Sequence, residues 1–125
     1  MSTWTDTELE VLDSVDELRV SSVRADGTTT RPVIIWAVRV GDHLYLRSVH
    51  GRGAGWFKGT RATGTGHISI GNIERDVTFT EISDATAQEA ISDAYRSKYR
   101  RYAKNIVDST GTADALSATL EAIPR

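Results

Sequence analysis

The feature that most constrains the fold is a series of short alternating segments between Glu17 and Ile82, separated by tight-turn signals. Apolar and polar residues alternate there with a period of two, which is typical of β-strands. Asp26–Gly27, Gly41–Asp42 and Gly71–Asn72 are suited to hairpin turns. Strands joined by hairpins pair antiparallel, and closure into a small barrel removes their exposed edges. We therefore predict five or six antiparallel strands that close into a barrel.

One of these segments, residues 32–40 (PVIIWAVRV), is apolar on both faces and should be a central strand. One face carries Val33, Ile35 and Ala37, and the other carries Ile34, Trp36 and Val38. A small barrel buries only its inner face, so the outer face needs another cover. That cover is either a helix of the same chain or a second copy of the protein, and the pattern of this strand leaves both open.

Helical patterns lie on both sides of the strand region. Thr5 to Glu8 and Thr86 to Glu89 each fit a capping box, in which a threonine and a glutamate satisfy free backbone N–H groups at a helix start. The sequence therefore predicts helices over about 6–15 and 86–102, with boundaries uncertain by about two to four residues. The second helix carries an apolar face at helical spacing that includes Tyr95, Tyr99 and Tyr102.

The C-terminal region predicts one more helix, which carries Leu116, Leu120 and Ile123 and ends at Pro124. The chain of 125 residues has the length of one compact domain, and it contains no linker, repeat or low-complexity tract. We expect one α+β domain over residues 1–125.

Composition excludes several classes of function. The formal charge is −2 and the pI is about 5.9, which argues against general affinity for nucleic acid. The chain has no cysteine, so disulfides, thiolate metal sites and a cysteine nucleophile are excluded. The acidic, polar N-terminus is unlike a signal peptide, and no apolar run approaches membrane-spanning length. A cytoplasmic protein with no nucleic-acid or membrane partner is the expectation.

Common catalytic and metal motifs are also absent from the sequence. The spacing of His43, His50 and His67 matches no metal-ligand motif, so these histidines are expected in solvated or sheet-edge positions. Residues 51–55 (GRGAG) imitate a dinucleotide-binding loop, but they follow a hairpin strand rather than opening a βαβ unit. The basic and aromatic residues 95–104 are better explained by core tyrosines and by cations at a helix C-terminus than by nucleic-acid stacking.

The segment from His43 to Ile73 contains no acidic residue, although it holds four cations between residues 47 and 64: Arg47, Arg52, Lys58 and Arg61. Two explanations remain open. The cations could pair with distant acids, for example in the N-terminal helix or at Glu74 and Asp76. Alternatively they could form an anion pocket, because glycine-rich backbone and arginines bind phosphate well. Trp56 and Phe57 would then supply an apolar wall for the flat ring of a flavin or a similar cofactor.

The chain also resembles a known family. The resemblance is to the DUF2255 family of bacterial proteins, and it covers most of the chain. It is carried by ADGT (25–28), RPVIIWAVRVGDHLYLRSVHGR (31–52), GWFKGTRATGTGHISIGNIERDVTF (55–79), AYRSKY (94–99) and ATLEAIPR (118–125). The order of the elements is similar to that of the flavin-binding split-barrel superfamily. This resemblance implies an α+β fold with a split antiparallel β-barrel of the FMN-binding type and flanking helices.

A broader resemblance is to deazaflavin-dependent nitroreductase-type proteins. The shared features are a glycine turn and proline before the long strand, a strand that ends in serine before a glycine-rich loop, and a Trp-aromatic pair; here they are Gly27, Pro32, Ser48, Gly51 and Trp56–Phe57. In those proteins a loop lysine helps to hold the cofactor phosphate, and Arg52 is the nearest basic residue here. The resemblance implies FMN or a deazaflavin of the F420 type as cofactor, or a barrel that has kept the fold with none.

The predicted cofactor site follows from these patterns. Its phosphate contacts are Arg47, Arg52 and Arg61, which should converge on one concave surface beside Trp56. Ser48 and Gly51 are the predicted polar and backbone contacts, and the ring walls are Trp36, Tyr45 and Trp56. No acid–base residue is assigned, because cofactor-mediated hydride transfer need not use one.

The function implied is a flavin- or deazaflavin-dependent oxidoreductase that transfers hydride to a small organic substrate. Two alternatives remain: a cofactor-free enzyme that uses the same pocket, and a non-enzymatic ligand-binding or dimeric interaction module. The superfamily resemblance further implies a homodimer with the cofactor near the seam.

Overall fold

The computed structural model describes residues 3–125, which contain six strands in a closed antiparallel barrel and five α-helices. The strands are β1 (Glu17–Ser22), β2 (Val33–Val40), β3 (His43–Arg47), β4 (Thr65–Ile70), β5 (Ile73–Glu81) and β6 (Thr119–Pro124). The helices are α1 (Asp6–Ser14), α2 (Gly55–Thr63), α3 (Ala85–Lys98), α4 (Lys104–Asp108) and α5 (Ala113–Ser117), with 3-10 turns at Gly51–Gly53 and Ser109–Gly111. Around the barrel the order is β1-β2-β3-β6-β5-β4. The predicted split barrel with flanking helices is confirmed.

The barrel interior is filled by alternate residues of its strands, as the period-two pattern predicts. The fully buried inward side chains include Leu18, Val20, Leu44, Leu46, Ile68, Ile70, Val77 and Leu120. Each such side chain contributes about 1.5–3 kcal/mol relative to an exposed position. Trp4, Leu9 and Leu12 join the same core cluster, so α1 closes one end of the barrel. The predicted capping box is present, with the Thr5 side chain and Glu8 satisfying each other's backbone N–H groups.

The predicted last helix is wrong over most of its length. Helix α5 ends at Ser117, and residues Thr119–Pro124 form β6 instead. This strand pairs antiparallel with β3 on one side and β5 on the other, so it closes a barrel that would otherwise have two open edges. Its apolar residues Leu120 and Ala122 alternate inward. Two long-range strand partners therefore override a local pattern that is compatible with a helix.

Helix α3 covers the outer face of the barrel with its aromatic stripe. Ile91, Tyr95 and Tyr99 are fully buried against Val38 and Tyr45, which form a cross-strand pair on β2 and β3. The helix starts at Ala85 and ends at Lys98, within the predicted uncertainty of 86–102. Its predicted capping box is wrong, because the side chain of Asp84 accepts the cap hydrogen bond from the Ala87 N–H at 2.8 Å. An aspartate two residues earlier provides the cap without a glutamate partner.

Part of the acid-free segment forms helix α2, which the sequence did not predict. The segment's glycines suggested a loop, yet Gly55–Thr63 are helical, and Phe57 inserts into the core with its side chain fully buried. Gly64 ends this helix in a left-handed conformation with a φ of 71°. Across residues 3–125, no helix combines the length and apolar character that a membrane crossing requires.

Candidate functional site

An apolar groove of about 380 Å³ lies where β2, the segment after β3 and the start of α2 meet the 106–110 region. Its volume is within the range typical of small-molecule sites. Its apolar lining consists of Val33, Ile34, Ile35, Trp36, Val49, Trp56, Tyr95 and Ile106. Its polar lining consists of Glu17, Arg47, His50, Ser109 and Thr110. We call this site the apolar groove.

The large hydrophobic side chains that remain exposed within residues 3–125 are all found at the apolar groove. Ile34 is 54% exposed, Ile106 is 46% exposed and Val49 is 41% exposed, and each of them lines the groove. Single exposed aliphatic residues are common, whereas three gathered at one concavity form an apolar patch of the kind found at binding sites.

Two of the three predicted ring walls line the groove. The Trp36 ring stacks on Tyr99 with centroids 3.8 Å apart and planes 3° apart, so this tyrosine, which directly follows α3, fixes the orientation of the ring. The Trp56 ring contacts Phe57 edge-on at 6.0 Å. Tyr45 does not line the groove, because its position on β3 directs it to the outer face of the barrel beneath α3. Burial raises its pKa, as expected for a packed phenol.

Arg47 borders the groove but is bound by the protein itself. Its side chain is only 3% exposed. All five of its N–H donors have neutral acceptors: Thr119 Oγ1, Ser92 Oγ, the Thr110 carbonyl, and both the carbonyl and the side-chain oxygen of Gln88, at 2.6–3.1 Å. Burial lowers the pKa of the guanidinium. No carboxylate of the described chain pairs with it. Arg47 therefore contributes positive charge beneath the groove and no free donor.

Arg52 and Arg61 point to a different part of the surface. Both approach Glu81, at 2.6 Å from Arg52 and 3.7 Å from Arg61, and Arg52 also donates to the Ser117 carbonyl at 2.7 Å. Neither lines the apolar groove. The predicted convergence of Arg47, Arg52 and Arg61 beside Trp56 is therefore wrong. Arg52 and Arg61 instead pair with an acid that is distant in sequence, which was the other explanation left open. The acid is Glu81 rather than Glu74, Asp76 or a residue of the N-terminal helix.

Ser48 and Gly51 shape the backbone rather than the groove surface. The Ser48 N–H donates to the Ala118 carbonyl, and its own carbonyl accepts from the Gly51 N–H, both at 3.0 Å. Gly51 has a φ of +78°, and a Cβ there would lie 3.3 Å from the Asp114 Cβ. This glycine is needed for the turn that leads into α2. The Ser48 Oγ is fully buried and has no hydrogen-bond partner among the described residues.

The N-terminus of α2 adds unused backbone donors next to Trp56. The N-cap residue is Ala54, and within the part of the chain that is described its helix has neither a capping side chain nor an acid in the first turn. The first N–H groups of a helix have no partner within it, and they favour negative charge. The glycine-rich sequence thus supplies backbone groups at this edge of the groove, although Arg52 and Arg61 lie elsewhere.

Several groove residues were not predicted from the sequence as members of a site. Ile106, Ser109 and Thr110 follow α3 and line the groove opposite β2. Isolated apolar or hydroxyl residues in a short helical region carry no local signal of a site. His50 also lines the groove, whereas His43 pairs with Glu121 and His67 contacts Glu74 and Asp76. In residues 3–125 no group of three or more potential ligands is arranged to hold a metal ion.

Comparison with known proteins identifies one matching family. A family described as an uncharacterized protein conserved in bacteria, DUF2255, matches residues 8–122. This span covers most of the 125 residues. No curated protein matches the chain.

Solved structures with the same fold bind or store different molecules. An F420-H2 dependent reductase is 14% identical, with 86% of this chain and 93% of the other covered and a TM-score of 0.65. A FAD-binding protein from Mesorhizobium loti is 16% identical, with 98% and 91% covered and a TM-score of 0.60. The heme storage protein HutZ from Vibrio cholerae is 10% identical, with 96% and 89% covered and a TM-score of 0.65. At these identities the similarity establishes the fold alone.

Proposed function

The chain belongs to the DUF2255 family, and we propose that it is a small-molecule-binding split barrel whose apolar groove holds a flat ring of the flavin type. The observation that carries this proposal is the presence of Trp36 and Trp56 in a groove of about 380 Å³ whose edge exposes three aliphatic side chains. The activity that we propose is that of a flavin- or deazaflavin-dependent oxidoreductase acting on a small organic molecule.

The groove is suited to the ring end of such a cofactor. Flat aromatic ligands bind well between apolar side chains and rings that keep one orientation. Trp36 has a fixed orientation because it stacks on Tyr99. Ile34 and Val49 would lose exposed surface when a ring covers them, which contributes about 25 cal/mol for each Å² of apolar area removed from water.

The groove offers fewer contacts to the anionic end of a cofactor than to its ring. The charge of Arg47 lies beneath the groove, but its donors are occupied. The uncapped start of α2 offers backbone N–H groups beside Trp56, and His50 lines the groove as well. Glu17, also in the lining, opposes negative charge at its own position. We therefore expect the ring to contribute more to affinity than the phosphate does.

The proposed redox activity draws on the range of proteins that share the fold. One is an F420-H2 dependent reductase and another is a FAD-binding protein. When bound, FMN or a deazaflavin of the F420 type supplies the hydride chemistry. The residues of this chain would orient the ring between Trp36 and Trp56 and would exclude water with the aliphatic rim.

The first prediction concerns the ring wall. Trp56→Ala should weaken binding of FMN or the deazaflavin by at least about fivefold, because truncation of a stacked aromatic typically costs about 1–3 kcal/mol. Arg52→Ala is the control, because the partners of Arg52, Glu81 and Ser117, lie outside the groove. This variant should bind each cofactor with the affinity of the wild type. Absorption spectra recorded during titration with each cofactor measure both affinities.

The outcomes of this titration separate the functional classes. Saturable binding that depends on Trp56 supports the proposal. Loss of affinity in Arg52→Ala with normal binding by Trp56→Ala would place the cofactor on the Glu81 side and reject the groove. A protein that binds neither cofactor would favour the second candidate, a ligand-binding or interaction module without a flavin. The position of Arg52 and Arg61 on Glu81, outside the groove, favours that candidate.

We also propose a homodimer that covers the groove edge. Helix α3 covers Trp36 and Val38 on the outer face of β2, but it leaves Ile34 54% exposed beside Val49 and Ile106. A two-fold interface would bury the same patch on both copies, and it should bury more than about 1,000 Å² in total. The cofactor would then lie near the seam.

The second prediction tests this dimer. The wild-type chain should sediment at micromolar concentration with the mass of two 13.7 kDa chains. Ile34→Glu should sediment as one chain, because a charge would be buried in the interface. Glu74→Gln, an exposed change on β5, is the control and should leave the dimer intact. A single-chain mass for the wild type would reject the dimer.

A further inference from the structure

We propose that a second cavity, at the C-terminal ends of α1 and α3, is a binding site for a small molecule that carries a phosphate group. The cavity has a volume of about 440 Å³, and we call it the basic cavity. Its polar lining includes Asp13, Arg39, Lys98, Arg100 and Arg101, and its apolar lining is Val38 and Ala94. The site is separate from the apolar groove and does not depend on the function proposed for that groove.

The charges around the basic cavity do not balance within the chain. Four cationic side chains line it and Asp13 is the acid among them, although the protein as a whole has a formal charge of −2. Arg39 pairs with Asp13 at 3.2 Å, and Arg101 pairs with Asp16. Two cations of the four are thus matched by carboxylates.

The other two cations, Lys98 and Arg100, have no carboxylate partner within residues 3–125. Arg100 donates from one nitrogen to the Ser97 carbonyl at 3.1 Å. Lys98 Nζ donates to the carbonyls of Leu12 and Ala37 at 2.8 and 2.7 Å, which leaves one of its three N–H groups for another acceptor. Burial lowers the pKa of Lys98 to about 8, although the charges of Asp13 and Asp16 act in the opposite direction.

Helix-end electrostatics explain only part of this cluster. Lys98 is the last residue of α3, where a cation interacts favourably with the helix dipole. Arg100 and Arg101 lie beyond the end of α3, and Arg39 belongs to β2. The dipole of α3 gives no reason for cations from β2 and from the segment after α3 to line the same cavity as Lys98.

The ligand class follows from this combination. Guanidinium groups bind the oxygens of a phosphate through charge-assisted hydrogen bonds, and an ammonium adds a point charge. The volume exceeds what a free anion needs, so the carbon portion of a phosphomonoester would occupy the rest of the cavity beside the half-buried Ala94. A small phosphomonoester is therefore favoured over inorganic phosphate.

The test is an NMR titration with glycerol phosphate, inorganic phosphate and acetate, each at constant ionic strength. Glycerol phosphate should shift the backbone amide signals of residues 97–101 and 38–40 in a saturable manner, while acetate should not. Arg100→Gln should weaken this binding at least about fivefold, since hydrogen bonds to charged groups are among the stronger ones. Arg31→Gln removes another exposed arginine, which lies outside the cavity, and this variant should bind glycerol phosphate as the wild type does.

Each outcome of this titration either supports or overturns the proposed phosphate site. Tighter binding of glycerol phosphate than of inorganic phosphate, with dependence on Arg100, supports the site and its phosphomonoester class. Equal binding of the two, again dependent on Arg100, supports the site with the phosphate group alone as the recognised part. Equal effects of Arg100→Gln and Arg31→Gln, saturable binding of acetate, or no saturable shifts would overturn the proposal. Tryptophan signals of the groove report separately on the function proposed there.

Discussion

Arg47→Ala is expected to lower the free energy of unfolding by about 3–4 kcal/mol, because it removes five hydrogen bonds, four of which are buried. The carbonyls of Gln88 and Thr110 would be left without these donors, and a cavity would remain where the guanidinium lay. The melting temperature should fall by roughly 12–15 °C in a domain of this size. Urea unfolding and thermal scans measure both quantities.

Arg31→Ala is the control for this prediction, because Arg31 is exposed and should change stability by less than about 0.5 kcal/mol. Arg47→Lys should restore little, since an ammonium cannot reach acceptors that lie in the fork geometry of a guanidinium. If Arg47→Ala proves as stable as the control, the five hydrogen bonds of Arg47 do not contribute to stability as expected here.

Gly66→Ala should be as damaging, because Gly66 lies where β4 meets β1. A Cβ at this position would lie 2.2 Å from the Ser21 carbonyl oxygen and 2.6 Å from the ring of Phe79. A clash with backbone atoms cannot be relieved by a small side-chain movement. We therefore expect the free energy of unfolding to fall by about 3 kcal/mol or more, or the variant to fail to fold. Gly53→Ala is the matched control, since no atom lies within 4 Å of its added Cβ.

Urea unfolding of the two glycine variants provides the comparison. Gly53→Ala should remain within about 0.5 kcal/mol of the wild type. Equal stability of both variants would contradict the close approach of β1, β4 and Phe79 on which the closed barrel depends.

Local patterns in the sequence predicted most of the fold. The turns at Gly27, Gly41 and Gly71 have the positive φ angles that their sequence signals require. The alternating residues of β1 and β2 point inward as their period indicates. The prediction from sequence failed at β6, because a pattern of six residues is too short to distinguish a strand from a helix without the partner strands β3 and β5. It also failed at α2, where tertiary burial of Phe57 outweighs the low helix propensity of glycine.

The site was predicted less completely than the fold. Trp36 and Trp56, the predicted ring walls, both line the groove, and aromatic residues beside an apolar strand and a glycine-rich segment are a local signal in the sequence. No local sequence pattern indicates the direction in which an arginine side chain points. Arg47 is directed by acceptors on α3 and β6, and Arg52 by Glu81, all of them distant in sequence. The number of cations in this segment therefore indicated an excess of positive charge. It did not indicate which groups the side chains bind or where they point.

The most direct test of the ring site uses the indole N–H signals of the three tryptophans in a two-dimensional NMR spectrum. FMN and a deazaflavin of the F420 type are each added to saturation. Trp36 and Trp56 line the groove, whereas Trp4 lies outside it and donates to the Ala122 carbonyl at 2.9 Å. We predict that the signals of Trp36 and Trp56 shift with one common affinity for at least one cofactor, and that the Trp4 signal stays in place. Unchanged signals for Trp36 and Trp56 with both cofactors, or a shift of Trp4 as large as theirs, would contradict a ring bound in the apolar groove.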